Sequence, residues 1–218
     1  MKNIILVTGH YGTGKTNLSI NLAVDYRNRG ESVTLADLDI VNPYFRSADF
    51  RDEAQLRGIE FIASKFANSS LDVPSLNAGL DAKIGGGERL IVDVGGDDAG
   101  AFALGRYSPR LSQTGYDMIY VVNAFRYLTR RPEEAILLLK EIEAASRLRA
   151  TYIVNNSNLS VQTTVEDVER SGEYAKKIAE IAGIPLAFTS VRRDVYEKLG
   201  DKGSYRPIDI YVKPPFID

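Results

Sequence analysis

Ile4-Ile5-Leu6-Val7-Thr8-Gly9-His10-Tyr11-Gly12-Thr13-Gly14-Lys15-Thr16 decides how this chain folds. The apolar run Ile4–Val7 predicts a strand buried on both faces, and a helical pattern begins at Thr16. Between them, Gly9 to Thr16 fits G-x-x-x-x-G-K-[ST], the pattern of a phosphate-binding loop. Glycines let successive backbone N–H groups turn inward around polyphosphate oxygens, and the following helix adds its positive dipole end. Lys15 is placed to neutralise the β- and γ-oxygens, and the Thr16 hydroxyl to coordinate Mg²⁺. The candidate nucleotide-binding residues are therefore Gly9, His10, Tyr11, Gly12, Thr13, Gly14, Lys15 and Thr16, with Asn17 in the first helical turn.

Outward from this loop, short apolar runs recur at Ile4–Val7, Val33–Ala36, Ile59–Ala63, Leu90–Val94, Met118–Val122, Tyr152–Val154 and Ile184–Phe188. Such runs suit parallel strands covered on both faces, because a sheet with one wet face would alternate polar and apolar residues. Helical stripes lie between them: Leu18, Leu22 and Tyr26; Ala135, Leu138, Leu139 and Ile142; Tyr174, Ile178 and Ile181. Gly30 and Gly183 stand as C-caps of the first and third, and Pro132 at the first turn of the second. The alternation predicts an α/β fold with a doubly wound, mostly parallel sheet flanked by helices in three layers, residues 1–218 forming one nucleotide-binding domain. Ser64–Gly87 reads as an irregular connection with one short helix, and Ile208–Phe216, with two adjacent prolines, as an edge strand and tail.

Two further constellations follow strands. Asp37-Leu38-Asp39 stands at the C-terminal end of the second strand, where ligands sit in open α/β sheets. One carboxylate would serve a metal-bound water and the other an attacking water. Asp93-Val94-Gly95-Gly96 ends another apolar strand in D-x-x-G. Asp93 is the expected Mg²⁺ partner, direct or through water, and the Gly96 N–H can approach a γ-phosphate because no side chain obstructs it.

These three segments resemble the deviant-Walker P-loop ATPases, the MinD/ParA/CooC-like group carrying the CobQ/CobB/MinD/ParA nucleotide-binding domain. The resemblance covers Met1 to about Ser190 and implies a P-loop NTPase fold with ATP and Mg²⁺ as ligands. It implies that Gly14, Lys15 and Thr16 bind phosphate and metal, that Asp37 and Asp93 stand at the metal, and that Asp39 orients the hydrolytic water. Asn155 or Asn156, at the end of the sixth strand, would meet adenine. Such proteins act on protein partners as nucleotide-dependent homodimers, and their signature lysine falls at the second loop residue, where this chain has His10. An imidazole has less reach and charge than that lysine, so weaker coupling of nucleotide to dimerisation is expected.

Composition narrows the options. Hydrophobic residues make up 44% and charged ones 26% of 218 residues, ordinary values for a globular protein. The net charge of -2 gives no global electrostatic reason to expect nucleic acid or an anionic membrane. Zero cysteines exclude disulfides, thiolate catalysis and thiolate metal sites within the chain. No window approaches the ~20 apolar residues of a membrane helix, so no membrane anchor and a cytoplasmic location are expected. Arg126, Arg130 and Arg131, and the pair Arg192 and Arg193, read first as solvated faces, with contact to a partner, nucleic acid or an opposing nucleotide as the alternative. Asn42-Pro43-Tyr44-Phe45 offers two aromatics for either packing or a partner.

The leading expectation is a Mg²⁺-dependent ATPase, a hydrolase acting as a nucleotide-driven switch on a protein partner, with Lys15 and Asp39 as catalytic residues. The alternatives are a P-loop phosphotransferase, its acceptor held by Ser64–Gly87, and a nucleotide sensor without hydrolysis. Adenine is expected over guanine. Guanine-specific N-K-x-D sites end in a carboxylate, whereas Asn155-Asn156-Ser157-Asn158 ends in an amide with one acceptor and one donor.

Overall fold

A computed structural model describes residues 1–38, 50–63, 79–96, 98–200 and 203–212. Among these, eight strands form one sheet: β1 (Ile4–Thr8), β2 (Val33–Asp37), β3 (Glu60–Ala63), β4 (Arg89–Asp93), β5 (Asp117–Val122), β6 (Tyr152–Asn155), β7 (Leu186–Arg192) and β8 (Tyr205–Ile208). Their order is β3-β2-β4-β1-β5-β6-β7-β8, and every neighbouring pair is parallel. The helices are α1 (Lys15–Asn28), α2 (Arg51–Leu56), α3 (described over 79–83), α4 (Asp98–Gly105), α5 (Ser108–Thr114), α6 (Pro132–Ser146), α7 (Val165–Ala182) and α8 (Arg193–Leu199). The doubly wound α/β arrangement expected from the alternating pattern is the one observed.

Period-2 alternation along each strand feeds two separate cores. Ile4, Leu6, Val92, Met118 and Tyr120 face the side covered by α4 to α7, whereas Ile5, Val7, Leu35, Ile91 and Val121 face α1 and α2. Because both faces are covered, the strands carry no polar alternation, which is why they read as continuous apolar runs. The buried Tyr120 hydroxyl donates to Ala135 O at 2.7 Å and fixes α6 over β5.

β1 lies between β4 and β5, so the chain crosses to one side of it to make β2 and β4 and to the other to make β5 to β8. The C-terminal ends of β1, β2 and β4 therefore flank the point where the winding reverses, the usual ligand crevice of such sheets. Register brings Asp37 of β2 opposite Asp93 of β4, and Leu38 N donates to Asp93 O at 2.8 Å.

Two expectations need correction. The edge strand is Tyr205–Ile208 and does not run on from Ile208: residues 205–208 pair with Thr189–Arg192, and residues 209–212 leave the sheet to lie along α1. A short segment containing Arg206 and Pro207 is a poor strand by propensity and is tolerated because only one of its sides must pair. The narrow stripe expected of α1 is also too modest, since Ile20, Asn21, Ala23 and Val24 are buried along with Leu18, Leu22 and Tyr26. Ser64 to residue 78, the tail beyond 212, Asp39 and Asn42–Phe45 lie outside the described residues. Among the described residues, no helix is long and apolar enough to cross a membrane.

Candidate nucleotide-binding site

The loop between β1 and α1 is braced from within. His10 O accepts from Thr13 N at 3.2 Å, from Thr13 Oγ1 at 2.8 Å and from Lys15 Nζ at 3.2 Å. Three donors on one carbonyl close the turn and hold the buried Lys15 ammonium along the inside of the loop. The His10 ring stays beside the loop, its Nδ1 2.9 Å from Tyr11 O, and Tyr11 is exposed. Gly9 leaves β1 against Val121 of β5, and Gly12 sits beneath the Arg126 guanidinium.

α1 starts at Gly14 in the left-handed conformation (φ 87°), with no side-chain cap and no acidic residue in its first turn. Its leading N–H groups are therefore left for an external acceptor. A side chain at Gly14 is excluded twice over, by the backbone angle and because its Cβ would stand 2.3 Å from Asn156 Nδ2. That amide donates to Thr13 O at 2.7 Å, while Asn156 Oδ1 accepts from Ser190 Oγ at 2.6 Å. Asn156 thus clamps the loop to the ends of β6 and β7.

Gly96 closes the opposite side. A Cβ there would lie 2.7 Å from both Lys15 Nζ and Tyr11 N, and 2.9 Å from Gly9 O. Only a glycine permits this approach of the segment after β4 to the loop. Asp93 is buried and accepts from Ser19 Oγ on α1 at 3.3 Å, and Asp37 is buried beside it at the end of β2.

The oxygen donors Thr16, Asp37 and Asp93 are hard ligands of the kind Mg²⁺ takes. Among the described residues no group of three or more His, Cys, Asp or Glu gathers. The protein would then supply part of an octahedron and leave the rest to phosphate oxygens and water, as Mg²⁺ sites in phosphoryl-transfer proteins do. The residues present fit that ion.

A cavity of about 230 Å³ runs from the loop toward the ends of β6 and β7. Lys15, Thr16 and Arg126 border its loop end; Asn158, Ser190 and Arg192 supply polar atoms farther on. Ile208, Ile210 and Val212 provide an apolar wall. That wall is held against α1 by side chains: Asn17 Oδ1 accepts from Tyr211 N at 2.8 Å, and Asn17 Nδ2 donates to Asp209 O at 2.9 Å. Asn21 pairs reciprocally with the Asp209 backbone at 2.8 Å each way. The Arg193 guanidinium, 2.7 Å from the Asp209 carboxylate, holds that carboxyl below its usual range.

The sequence-expected residues fall into three placements. Gly9 to Thr16 and Gly96 gather around the loop, with Asp37 and Asp93 side by side at the strand ends. Asn17 borders the cavity while its amide holds the C-terminal segment. Of the two asparagines after β6, Asn156 lines the cavity and clamps the loop, whereas Asn155 is fully buried, its amide bonded to Ser171 Oγ at 2.9 Å and to Ser157 at 2.6 Å. The sequence read Arg126 first as part of a solvated face and gave no sign of the Ile208/Ile210/Val212 wall. Asn17 and Asn21, one turn apart on α1, were the available sign that backbone covers that face.

No protein-family model and no curated protein matches this chain. Solved structures do. FtsY from Thermotoga maritima superposes with a TM-score of 0.58 at 22% identity, over 94% of this chain and 65% of that one. The signal recognition particle receptor FtsY from Elizabethkingia anophelis in complex with GDP gives 0.56 at 17%, over 86% and 56%. The signal recognition particle 54 kDa protein from Aeropyrum pernix K1 in complex with GDP gives 0.58 at 19%, over 85% and 40%. The chain spans 56–65% of the length of the FtsY chains it matches. At these identities the likeness shows the fold alone: three layers with a parallel sheet between helices, the fold type of P-loop NTPases.

Proposed function

We propose that this protein binds a nucleoside triphosphate with Mg²⁺ and hydrolyses it, acting as a nucleotide-driven switch. The observation that carries the reading is the contact between Gly96 and the phosphate loop, where a Cβ would stand 2.7 Å from Lys15 Nζ. Loss of the γ-phosphate from this junction would change what the segment after Asp93 rests on, which is how such switches report hydrolysis. Lys15 neutralises the β- and γ-oxygens, and the uncapped start of α1 donates N–H groups to the phosphates. Thr16, Asp37 and Asp93 would hold Mg²⁺, which would supply charge neutralisation for the phosphates. Asp39 is assigned to the attacking water, whose oxygen bonds to the γ-phosphorus as the bond to the β–γ bridging oxygen breaks, giving the nucleoside diphosphate, phosphate and a proton.

The base assigned is adenine. Asn158 borders the cavity with its Oδ1 accepting from Ser160 N at 3.2 Å and its Nδ2 donating to Asn156 O at 2.8 Å. One N–H and one lone pair of the amide are left, enough for the donor and acceptor of adenine's edge, while guanine's adjacent N1–H and N2–H would find a single acceptor. The second reading is a guanine nucleotide, favoured by GDP in two of the similar structures. Calorimetry with Mg·ATP and Mg·GTP decides: tighter ATP binding supports adenine, and GTP displacing ATP at equal concentration overturns it. In Asp39→Asn, turnover should fall far more than affinity; wild-type turnover would remove Asp39 from the mechanism.

A protein partner fits the surface beside the loop. His10 borders a groove of about 530 Å³ with the exposed Tyr127, Leu128 and Leu137. Exposed apolar groups rimmed by charged ones, here Arg130, Arg131, Glu134 and Glu141, mark interaction surfaces. A second copy docking there with triphosphate bound would give the nucleotide-dependent homodimer. Light scattering with and without a non-hydrolysable ATP analogue tests it, a strict monomer in both being the contrary result.

A further inference from the structure

Among the described residues the cavity lining combines three cations, Lys15, Arg126 and Arg192, with no carboxylate. Two of these have internal partners. Lys15 lies along His10 O, and Arg192 is forked onto the Asp194 carboxylate, with Nη2 2.7 Å from Oδ2, while also donating to Ser160 O. Arg126 has no ion pair among the described residues. Its guanidinium rests on the loop instead, with Cζ and Nε each 3.3 Å from where a Cβ on Gly12 would be.

The backbone that carries Arg126 is tied down on both sides. Asn123 is buried at the end of β5; its Oδ1 accepts from Phe125 N at 3.0 Å and its carbonyl from Arg126 N at 3.2 Å. Ala124 N donates to Ser157 Oγ at 2.8 Å, and Thr129 N closes the turn on Arg126 O at 3.2 Å. A flexible surface arginine needs no such seat. The loop partly desolvates the guanidinium and lowers its pKa, yet arginine stays charged at neutral pH. A triphosphate brings several negative charges, and one lysine with a divalent cation leaves part of them uncompensated. The planar fork of a guanidinium suits two phosphate oxygens at once.

We propose that Arg126 contacts the phosphate chain of the bound nucleotide from the same chain, closing the loop from above Gly12. This rests on the nucleotide-binding reading given under Proposed function. Arg126 is thus the second cationic side chain of the phosphate site, and it reads phosphate rather than base.

The test uses the full chain and inorganic tripolyphosphate, ATP and GTP as probes, with Arg126→Gln, Arg126→Lys and Lys15→Ala compared by calorimetry and thermal unfolding. Arg126→Gln should weaken tripolyphosphate and ATP by about tenfold, leave the ATP-to-GTP affinity ratio unchanged and keep the wild-type unfolding midpoint. Arg126→Lys, which keeps the charge and loses the fork, should retain more of the affinity than Arg126→Gln. Tripolyphosphate affinity undiminished in Arg126→Gln while Lys15→Ala loses it overturns the role of Arg126 alone. A changed ATP-to-GTP ratio with unchanged tripolyphosphate affinity assigns the guanidinium to the base, against the proposal. Failure of the wild-type chain to bind any of the three probes overturns this inference together with the reading beneath it.

Discussion

α1 and α7 start in opposite ways. α7 is closed by its own sequence: Thr164 Oγ1 accepts from Asp167 N at 3.2 Å, and Thr164 N donates back to the Asp167 carboxylate at 3.1 Å. α1 has neither device, since Gly14 offers no side chain and no acid occupies the first turn. A capped helix start spends its N–H groups on stability. An uncapped one, flanked by Lys15 and Gly96, holds them for an anion. The helix bodies differ in the same sense. α7 buries only Val168, Ser171, Ala175 and Ile178 and leaves the remainder wet or partly wet, whereas α1 is buried on most of its circumference. The element that opens at the candidate site is the one the protein holds from both sides, by the sheet and by the 209–212 segment.

That contrast can be broken at α1 first. Lys15→Ala should lower triphosphate affinity by a hundredfold or more, since it deletes the main point charge on the β- and γ-oxygens. A calorimetric titration of the folded variant with unchanged affinity would remove the phosphate-loop assignment. Gly14→Ala ranks next. It forces a Cβ to 2.3 Å from Asn156 Nδ2 and places alanine in left-handed backbone, a cost of about 1–2 kcal/mol before the lost clamp on Thr13 O is counted. Denaturant melts and binding should both suffer, and a variant as stable as wild type would mean that the loop relaxes freely.

At α7 only stability should change. Thr164→Ala is expected to cost about 1 kcal/mol in urea unfolding while triphosphate affinity stays at the wild-type value. A coupled loss of binding would show that the two helix starts are not independent. The smallest effect belongs to the exposed face of the same helix. Lys176, paired with Glu173 at 2.8 Å in the open, should tolerate alanine within about 0.5 kcal/mol. A larger shift in the unfolding midpoint would point to a role for that face that the monomer does not display.

The loop Gly9–Thr16, the strand-ending Asp37 and Asp93, and the helix ends at Gly30, Pro132 and Gly183 were legible from sequence because each answers a local demand. Left-handed backbone wants glycine, a first helical turn tolerates proline, and a strand buried on both faces must be apolar throughout. Period and punctuation along the chain were enough to specify a doubly wound α/β fold. The brevity of β8 and the wrapping of α1 were not legible, because both depend on residues 205–212 meeting β7 and α1 far away in sequence. For the same reason the sequence left open which of Asn155 and Asn156 reaches the cavity. Adjacent residues leaving a strand point in opposite directions, and only the packing of Ser171 behind β6 and of Thr13 before it turns one inward to the core and the other toward the loop. Arg126 is the sharpest case. A basic residue after a strand reads as a solvated face until the turn at Asn123 lays its guanidinium on Gly12. Propensity and patterning act through neighbours in sequence, whereas cavity lining is a contact between strand ends brought together by the parallel winding of the sheet, and tertiary structure alone decides that.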